Sequence, residues 1–258
     1  MKQELFVKDI MGKPTTIAKS AKITEALDKM LTEGIDPLIA LNGTTVVGTV
    51  SRQAIAEKLG SKQNSAIAPA AIHVASVVAE DFTSVYPDES VNVLVPLLQH
   101  YKLVVVYDSD HKLIGQVSAG DLLKKYIPYD GIESAMEKAV TIDVDERVVH
   151  LRRRMLDDNI SRFVVTDNNK ITGIVTETDV ATELRKFRES VPDQHQDHRI
   201  RNLLVKDIMS TPLVSVDRNT HVSDVIDMMI KKNISTVPVT DKGKLVGLVT
   251  RRSLVMAL

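Results

Sequence analysis

The sequence predicts an α/β protein of the α+β kind, assembled from four copies of one small unit. Two observations carry this. Four octets, GTVSRQAI, GQVSAGDL, GIVTETDV and GLVTRRSL, begin at Gly48, Gly115, Gly173 and Gly247. Upstream of each lies a helical pattern, and the spacing from Ser20, Asp88, Asp145 and Asn219 to those glycines is 28, 27, 28 and 28 residues. A spacing kept through four copies marks an internal repeat.

Each unit reads in the same order. A lead comes first: VKDIM at 7–11 and 205–209, ESAM at 133–136 and the weaker ASVV at 75–78. The helical stretches SAKITEALDKML, DESVNVLVPLLQ, DERVVHLRRRML and NTHVSDVIDMMI follow, with apolar residues three and four apart, as in Ile23, Ala26, Leu27, Met30 and Leu31. Ser20, Asp88, Asp145 and Asn219 are expected as their N-caps, since short polar side chains accept an orphan backbone N–H. Two strand-like runs come next, STVPVT and KLVGLVT around DKG in the fourth copy, RFVVT and KITGIVT around DNN in the third. A closing helix starts within each octet.

The expected units span 1–60, 74–127, 132–187 and 203–258. The linker 61–73 joins the first two, the short PYDG joint at 128–131 the middle two, and the polar stretch 188–202 the last two. One such unit buries little apolar surface alone, so neighbours are expected to pair.

Composition narrows the function. The 258 residues carry 33 Lys and Arg against 34 Asp and Glu, and aromatics are 3% with no Trp. That balance offers neither the electrostatic footprint of a nucleic-acid binder nor a stacking platform. There is no cysteine, which removes disulfides, thiolate nucleophiles and Cys-ligated zinc. No run approaches a membrane span and the N-terminus lacks a signal-like apolar core, so a cytoplasmic protein without membrane contact is expected. No nucleophile constellation, Gly-rich phosphate loop or metal triad is visible, so no enzyme is expected. His195 and His198 form a weak metal candidate in the last linker, and Arg152, Arg153 and Arg154 fan around their helix as a solvated face.

VKDIM followed by STVPVTDKGKLVGLVTRRSL resembles the cystathionine-β-synthase-type (CBS) domain, and the resemblance covers nearly the whole chain. It implies two Bateman modules, each a pair of units packed by their sheets, able to form a pseudo-fourfold disk. Four units in one chain are similar to the gamma subunit of AMP-activated protein kinase and to stand-alone archaeal and bacterial CBS proteins. The implied ligands are AMP, ADP or ATP, with S-adenosylmethionine as a relative. The implied partners are an unidentified regulated protein or a second copy of the chain. A nucleic-acid or transcriptional regulator, and a scaffold with empty clefts, are the alternatives.

The family's ligand motif places Thr or Ser three residues after the glycine and Asp three further. Ser118 with Asp121 and Thr176 with Asp179 match it; Ser51 is followed by Ala54 and Thr250 by Ser253. A hydroxyl followed three residues later by a carboxylate is also a capping box. All four copies keep the hydroxyl and only two keep the carboxylate, so Asp121 and Asp179 are assigned to a ribose diol. By register with the family, Val140, Ile160 and Ser161 in the third copy, and Thr83, His100 and Tyr101 in the second, would face adenine. Arg162 and Lys102 stand at the family's phosphate-binding strand start, where the other copies have Pro37 and Thr236. Arg252 matches a further basic position.

Overall fold

The structure, a computed structural model, describes residues 5–61, 67–190 and 202–258; His195 and His198 lie outside the described residues. The first copy holds β1 (Thr16–Ala18), α1 (Ile23–Glu33), β2 (Leu38–Asn42), β3 (Thr45–Val50) and α2 (Arg52–Gly60). The second holds β4 (Thr83–Val85), α3 (Leu94–His100), β5 (Leu103–Tyr107), β6 (Leu113–Ser118) and α4 (Ala119–Leu123). The third holds β7 (Met136–Glu137), β8 (Thr141–Asp143), α5 (Val148–Asp157), β9 (Arg162–Asp167), β10 (Lys170–Thr176) and α6 (Glu177–Ser190). The fourth holds α7 (Val205–Ile208), β11 (Val216–Asp217), α8 (Val222–Lys231), β12 (Thr236–Asp241), β13 (Lys244–Thr250) and α9 (Arg251–Met256).

Every copy builds the same sheet: a short strand parallel to the second, then an antiparallel hairpin. The DNN and DKG turns put Asn168, Asn169, Lys242 and Gly243 at positive φ, the pairing a two-residue hairpin turn requires. The ladder skips the residue before each octet glycine (Val47, Ile114, Thr172 and Val246), so each hairpin carries a bulge.

The leads are exchanged between neighbours. The first copy's lead lies on the second copy, where Gly12 and Gln116 exchange backbone hydrogen bonds of 2.9 and 3.0 Å. The second copy's lead returns the contact through Ala79 and Thr49 at 2.8 and 2.9 Å. In the other half, Ser210 pairs with Ile174, and β7 becomes a fourth strand beside β13. This exchange explains the glycine of each octet. A Cβ on Gly115 would lie 2.8 Å from Met11 Sδ, on Gly173 2.9 Å from Ser210 O, and on Gly247 2.5 Å from Met136 Cγ. On Gly48, at φ +144°, it would lie 2.1 Å from Ala79 O.

The expected N-caps are corrected. The residues before the first helical turns are Lys22, Ser90, Arg147 and His221, each two positions beyond Ser20, Asp88, Asp145 and Asn219. Their orphan N–H groups go to the exchanged leads: Ile23 N donates to Ile72 O at 3.0 Å, Val91 N to Leu5 O at 3.0 Å, and Val148 N to Leu203 O at 2.8 Å. Asp88 and Asp145 instead receive Lys8 Nζ and Lys206 Nζ, both at 2.6 Å. In these three copies backbone from outside the unit satisfies the first helical N–H, and in the second Ser90 Oγ also accepts Asn92 N at 3.4 Å.

The sheets of the first two copies pack on each other, those of the last two are joined by Arg162 Nη1 donating to Thr236 Oγ1, and helices pack between the halves. Ile39 and Val46 of the first copy meet Leu103 and Val105 of the second. One apolar core joins the first copy to the third, through Leu27, Ile55, Leu151 and Leu184 among others. The other joins the second to the fourth, through Leu94, Leu122, Ile226 and Leu254. The buried Arg188 guanidinium ties α6 to the first copy and the linker after it by donating to Leu59 O at 3.0 Å and to Ile67 O. Four copies thus close a ring of alternating sheet and helix contacts.

Candidate functional site

A chamber of roughly 1390 Å³, including the solvent at its mouths, sits where the four copies meet. Each copy supplies the same two pieces. The first two residues of its closing helix line the chamber: Arg52 and Gln53, Ala119 and Gly120, Glu177 and Thr178, Arg251 and Arg252. So does its helix-to-strand turn, represented by Asp36, Lys102, Arg162 and Thr236.

Local hydrogen bonds hold the two pieces together. Glu177 N donates to Ser161 O and Arg251 N to Ser235 O, both at 3.1 Å; in the first copy Arg52 N uses the Asp36 carboxylate at 2.9 Å. The helix starts are capped as expected where Ser51, Ser118 and Thr250 accept from the third helical N–H at 3.2, 3.4 and 2.9 Å. Among the described residues Thr176 accepts no such bond; its hydroxyl, like that of Ser118, donates to the carboxylate three residues on, Asp179 Oδ2, at 2.7 Å.

Nine of the sequence-predicted site residues line this chamber: His100, Tyr101, Lys102, Ser118, Ser161, Arg162, Thr176, Thr250 and Arg252. Five lie outside its lining. Asp121 Oδ2 accepts Ser118 N at 3.0 Å and Ser118 Oγ at 2.7 Å, and its Oδ1 pairs with Lys124 Nζ at 3.0 Å. Asp179 Oδ2 accepts Thr176 N at 2.7 Å, and its Oδ1 accepts Ser210 Oγ at 2.7 Å. Both carboxylates therefore stand in capping geometry. Val140 and Ile160 pack together against the first apolar core, and Thr83 pairs with Val104 in the sheet. Tyr101 Oη donates to Asp81 at 3.2 Å, which raises its pKa, and the His100 ring lies 3.0 Å from Pro96 O.

Four chamber residues were missed by reading the family motif alone: Asp36, Arg52, Glu177 and Arg251. For the last three the signal was present one column beyond the cap hydroxyl, where the octets read Arg, Ala, Glu and Arg. Arg52 Nη2 donates to Met30 O at 2.7 Å and Arg251 Nη2 to Met229 O at 2.8 Å, each closing the end of its own copy's first helix. Among the described residues their buried Nε atoms have no hydrogen-bond partner. Arg162 Nη1 donates to Thr236 Oγ1 at 2.9 Å, and its Nε and Nη2 to Ser161 Oγ at 3.0 and 2.8 Å. Burial pushes the pKa values of Arg162 and Arg251 down, yet arginine stays charged.

The CBS domain model matches residues 7–61, 74–127, 132–186 and 205–258. The chain belongs to the CBS-domain family. Such domains are generally regulatory rather than catalytic. Protein MJ1225 of Methanocaldococcus jannaschii, described as a candidate archaeal homologue of the AMP-activated kinase gamma subunit, superposes with a TM-score of 0.80, at 18% identity over 98% of this chain and 99% of that one. A Pyrococcus horikoshii protein superposes with a TM-score of 0.64, at 22% identity over 98% and 100% of the two chains. These matches establish the four-CBS fold with its paired modules. By sequence, MK0525 of Methanopyrus kandleri is 27% identical over 47% of this chain, and MJ1404 of M. jannaschii 32% over 45%. The matches span 59% and 28% of those two relatives.

Charge sets the character of this CBS chamber. Five cationic side chains (Arg52, Lys102, Arg162, Arg251 and Arg252) face two carboxylates, Asp36 and Glu177. Lys102 Nζ lies 3.9 Å from both Asp36 Oδ2 and Glu177 Oε2. Among the described residues, no cluster of His, Asp and Glu is placed to hold a metal ion, and no helix is long and apolar enough to cross a membrane.

Proposed function

We propose that this CBS protein is a non-catalytic regulator that binds adenine nucleotide (AMP, ADP or ATP) with its phosphates in the central chamber. The observation that carries this is the convergence of Arg52, Lys102, Arg162, Arg251 and Arg252, from all four copies, on one cavity. Guanidinium groups suit bidentate phosphate recognition. The adenosine would reach outward along the third copy to Ser161, Ile160 and Val140, with Asp179 on the ribose. The second copy offers the equivalent path past Lys102 to Tyr101, His100, Thr83 and Asp121. An excess of cations favours a phosphate over the sulfonium of S-adenosylmethionine.

A phosphate held by side chains from both modules stabilises their closed arrangement by its differential affinity for it. That change of arrangement is what a regulated protein, or a second copy of the chain, would read. Calorimetric titration with AMP, ADP, ATP and S-adenosylmethionine tests the reading. Micromolar binding of at least one nucleotide is expected, weakened tenfold or more in Arg162→Gln. Absence of binding by all four ligands sinks it.

A further inference from the structure

Glu177 is out of character in this chamber. It occupies the first position of α6, where the first and fourth copies carry Arg52 and Arg251. Its side chain is 13% exposed, and among the described residues its carboxylate accepts no hydrogen bond. It does not take part in the Thr176–Asp179 cap, so the start of α6 does not explain it.

Its surroundings come from five elements. Lys102, at the start of β5, approaches to 3.9 Å and is shared with Asp36 ahead of β2. Arg162 opens β9 and attracts the carboxylate, while Glu57 on α2 repels it. Arg152 on α5 shares a small adjoining pocket with Glu57 and Glu177. Arg52 reaches the neighbouring residue, donating through Nη1 to Thr178 Oγ1 at 3.2 Å.

We propose that Glu177 is the chamber's own counter-anion: an entering phosphate takes over Lys102 and Arg162, and Glu177 binds a proton as it does so. This rests on the reading of the chamber as a phosphate site and adds to it a residue that decides how binding depends on pH. The reason is Coulombic. An ionised carboxylate that loses its cations to a phosphate, and gains that phosphate as a neighbour, is better neutral. Burial, aided by Asp36 and Glu57 against Lys102 and Arg162, already holds the Glu177 carboxyl at about 7, so a modest change of field completes its protonation. Protonation leaves five cations facing Asp36 alone.

Titration calorimetry of the full chain at pH 7.5, in two buffers of different ionisation enthalpy, measures the protons taken up. ATP and inorganic tripolyphosphate are the probes, on wild type and Glu177→Gln. Wild type should take up between about half and three-quarters of a proton more than Glu177→Gln. Above pH 7 its affinity should fall by up to about tenfold per pH unit relative to the variant, the ligand's own titration being common to both. Equal uptake and parallel pH profiles overturn the proposal, with Glu177→Ala as the reference should Glu177→Gln fail to fold. Tripolyphosphate binding with proton uptake but no ATP binding supports the role of Glu177 and overturns the nucleotide reading. Failure of both probes to bind either protein removes the phosphate site, and this proposal with it.

Discussion

Ser210 Oγ donates to Asp179 Oδ1 at 2.7 Å, joining the exchanged lead of the fourth copy to the start of the third copy's closing helix. The carboxylate assigned to ribose is thus already engaged on both oxygens, since Oδ2 serves Thr176. A ribose diol has to displace Ser210 from Oδ1. Ser210→Ala should therefore tighten nucleotide binding at that site by about ten- to a hundredfold, the worth of one competing hydrogen bond to a charged group. Asp179→Ala should abolish the site and cost about 1 kcal/mol of stability through the lost cap. Calorimetry and urea unfolding of both variants check this; an unchanged affinity in Ser210→Ala counts against Asp179 as the ribose ligand.

Arg251 couples stability to binding in a way that separates the two. Its Nη2 holds Met229 O, while its buried Nε has no partner among the described residues. In Arg251→Met the lost charged hydrogen bond is partly offset by relief of that buried donor, so the stability loss should be only about 1 kcal/mol. ATP affinity should fall at least tenfold. Urea unfolding alongside calorimetry reads both, and a large stability loss with unchanged binding would make Arg251 a structural residue only.

Glu177 makes stability fall as pH rises. Its carboxyl titrates near 4.5 in the unfolded chain and at about 7 in the folded one, so between these values the native state holds more protons. The contribution is fully present below pH 4.5 and is lost as pH rises through about 7. The upper bound is about 3 kcal/mol, reduced by whatever solvent reaches the chamber. Glu177→Gln should gain stability relative to wild type from pH 5 to pH 8, measured by urea unfolding across that range.

Two glycines of the same hairpin should respond differently to alanine. Gly48→Ala places a Cβ 2.1 Å from Ala79 O at a φ of +144°, so the exchanged lead must shift. A cost of about 3 kcal/mol or more is expected, at the upper end of overpacking effects. Gly43, at φ +61°, has open space around it, with nothing within 4 Å of where an alanine Cβ would stand. Gly43→Ala should cost only the left-handed penalty, about 1–2 kcal/mol. Chemical denaturation of the two variants compares them directly.

Local information was enough for the units themselves. The helical spacing of Ile23, Ala26, Leu27 and Met30, the DNN and DKG turns, and the hydroxyl caps Ser51, Ser118 and Thr250 lie within a few residues of what they determine. The fourfold repeat was legible because the same short-range rules recur at constant spacing. The N-caps expected at Ser20, Asp88, Asp145 and Asn219 missed because the true partners, such as Ile72 O for Ile23 N, are backbone groups distant along the chain. No side-chain preference encodes them.

The sequence by itself determined four sheet-and-helix units, the glycine of every octet, and the residue types that open each closing helix. Only the tertiary structure decided what those features are for. Exchange of leads turned the glycines into sites of close backbone approach, and closure of the ring brought Arg52, Lys102, Glu177 and Arg251 around one cavity. The physical reason is that a single unit cannot bury its own apolar faces. It satisfies its helix ends and its core with its neighbours, and the charges left at the shared centre acquire their meaning from one another.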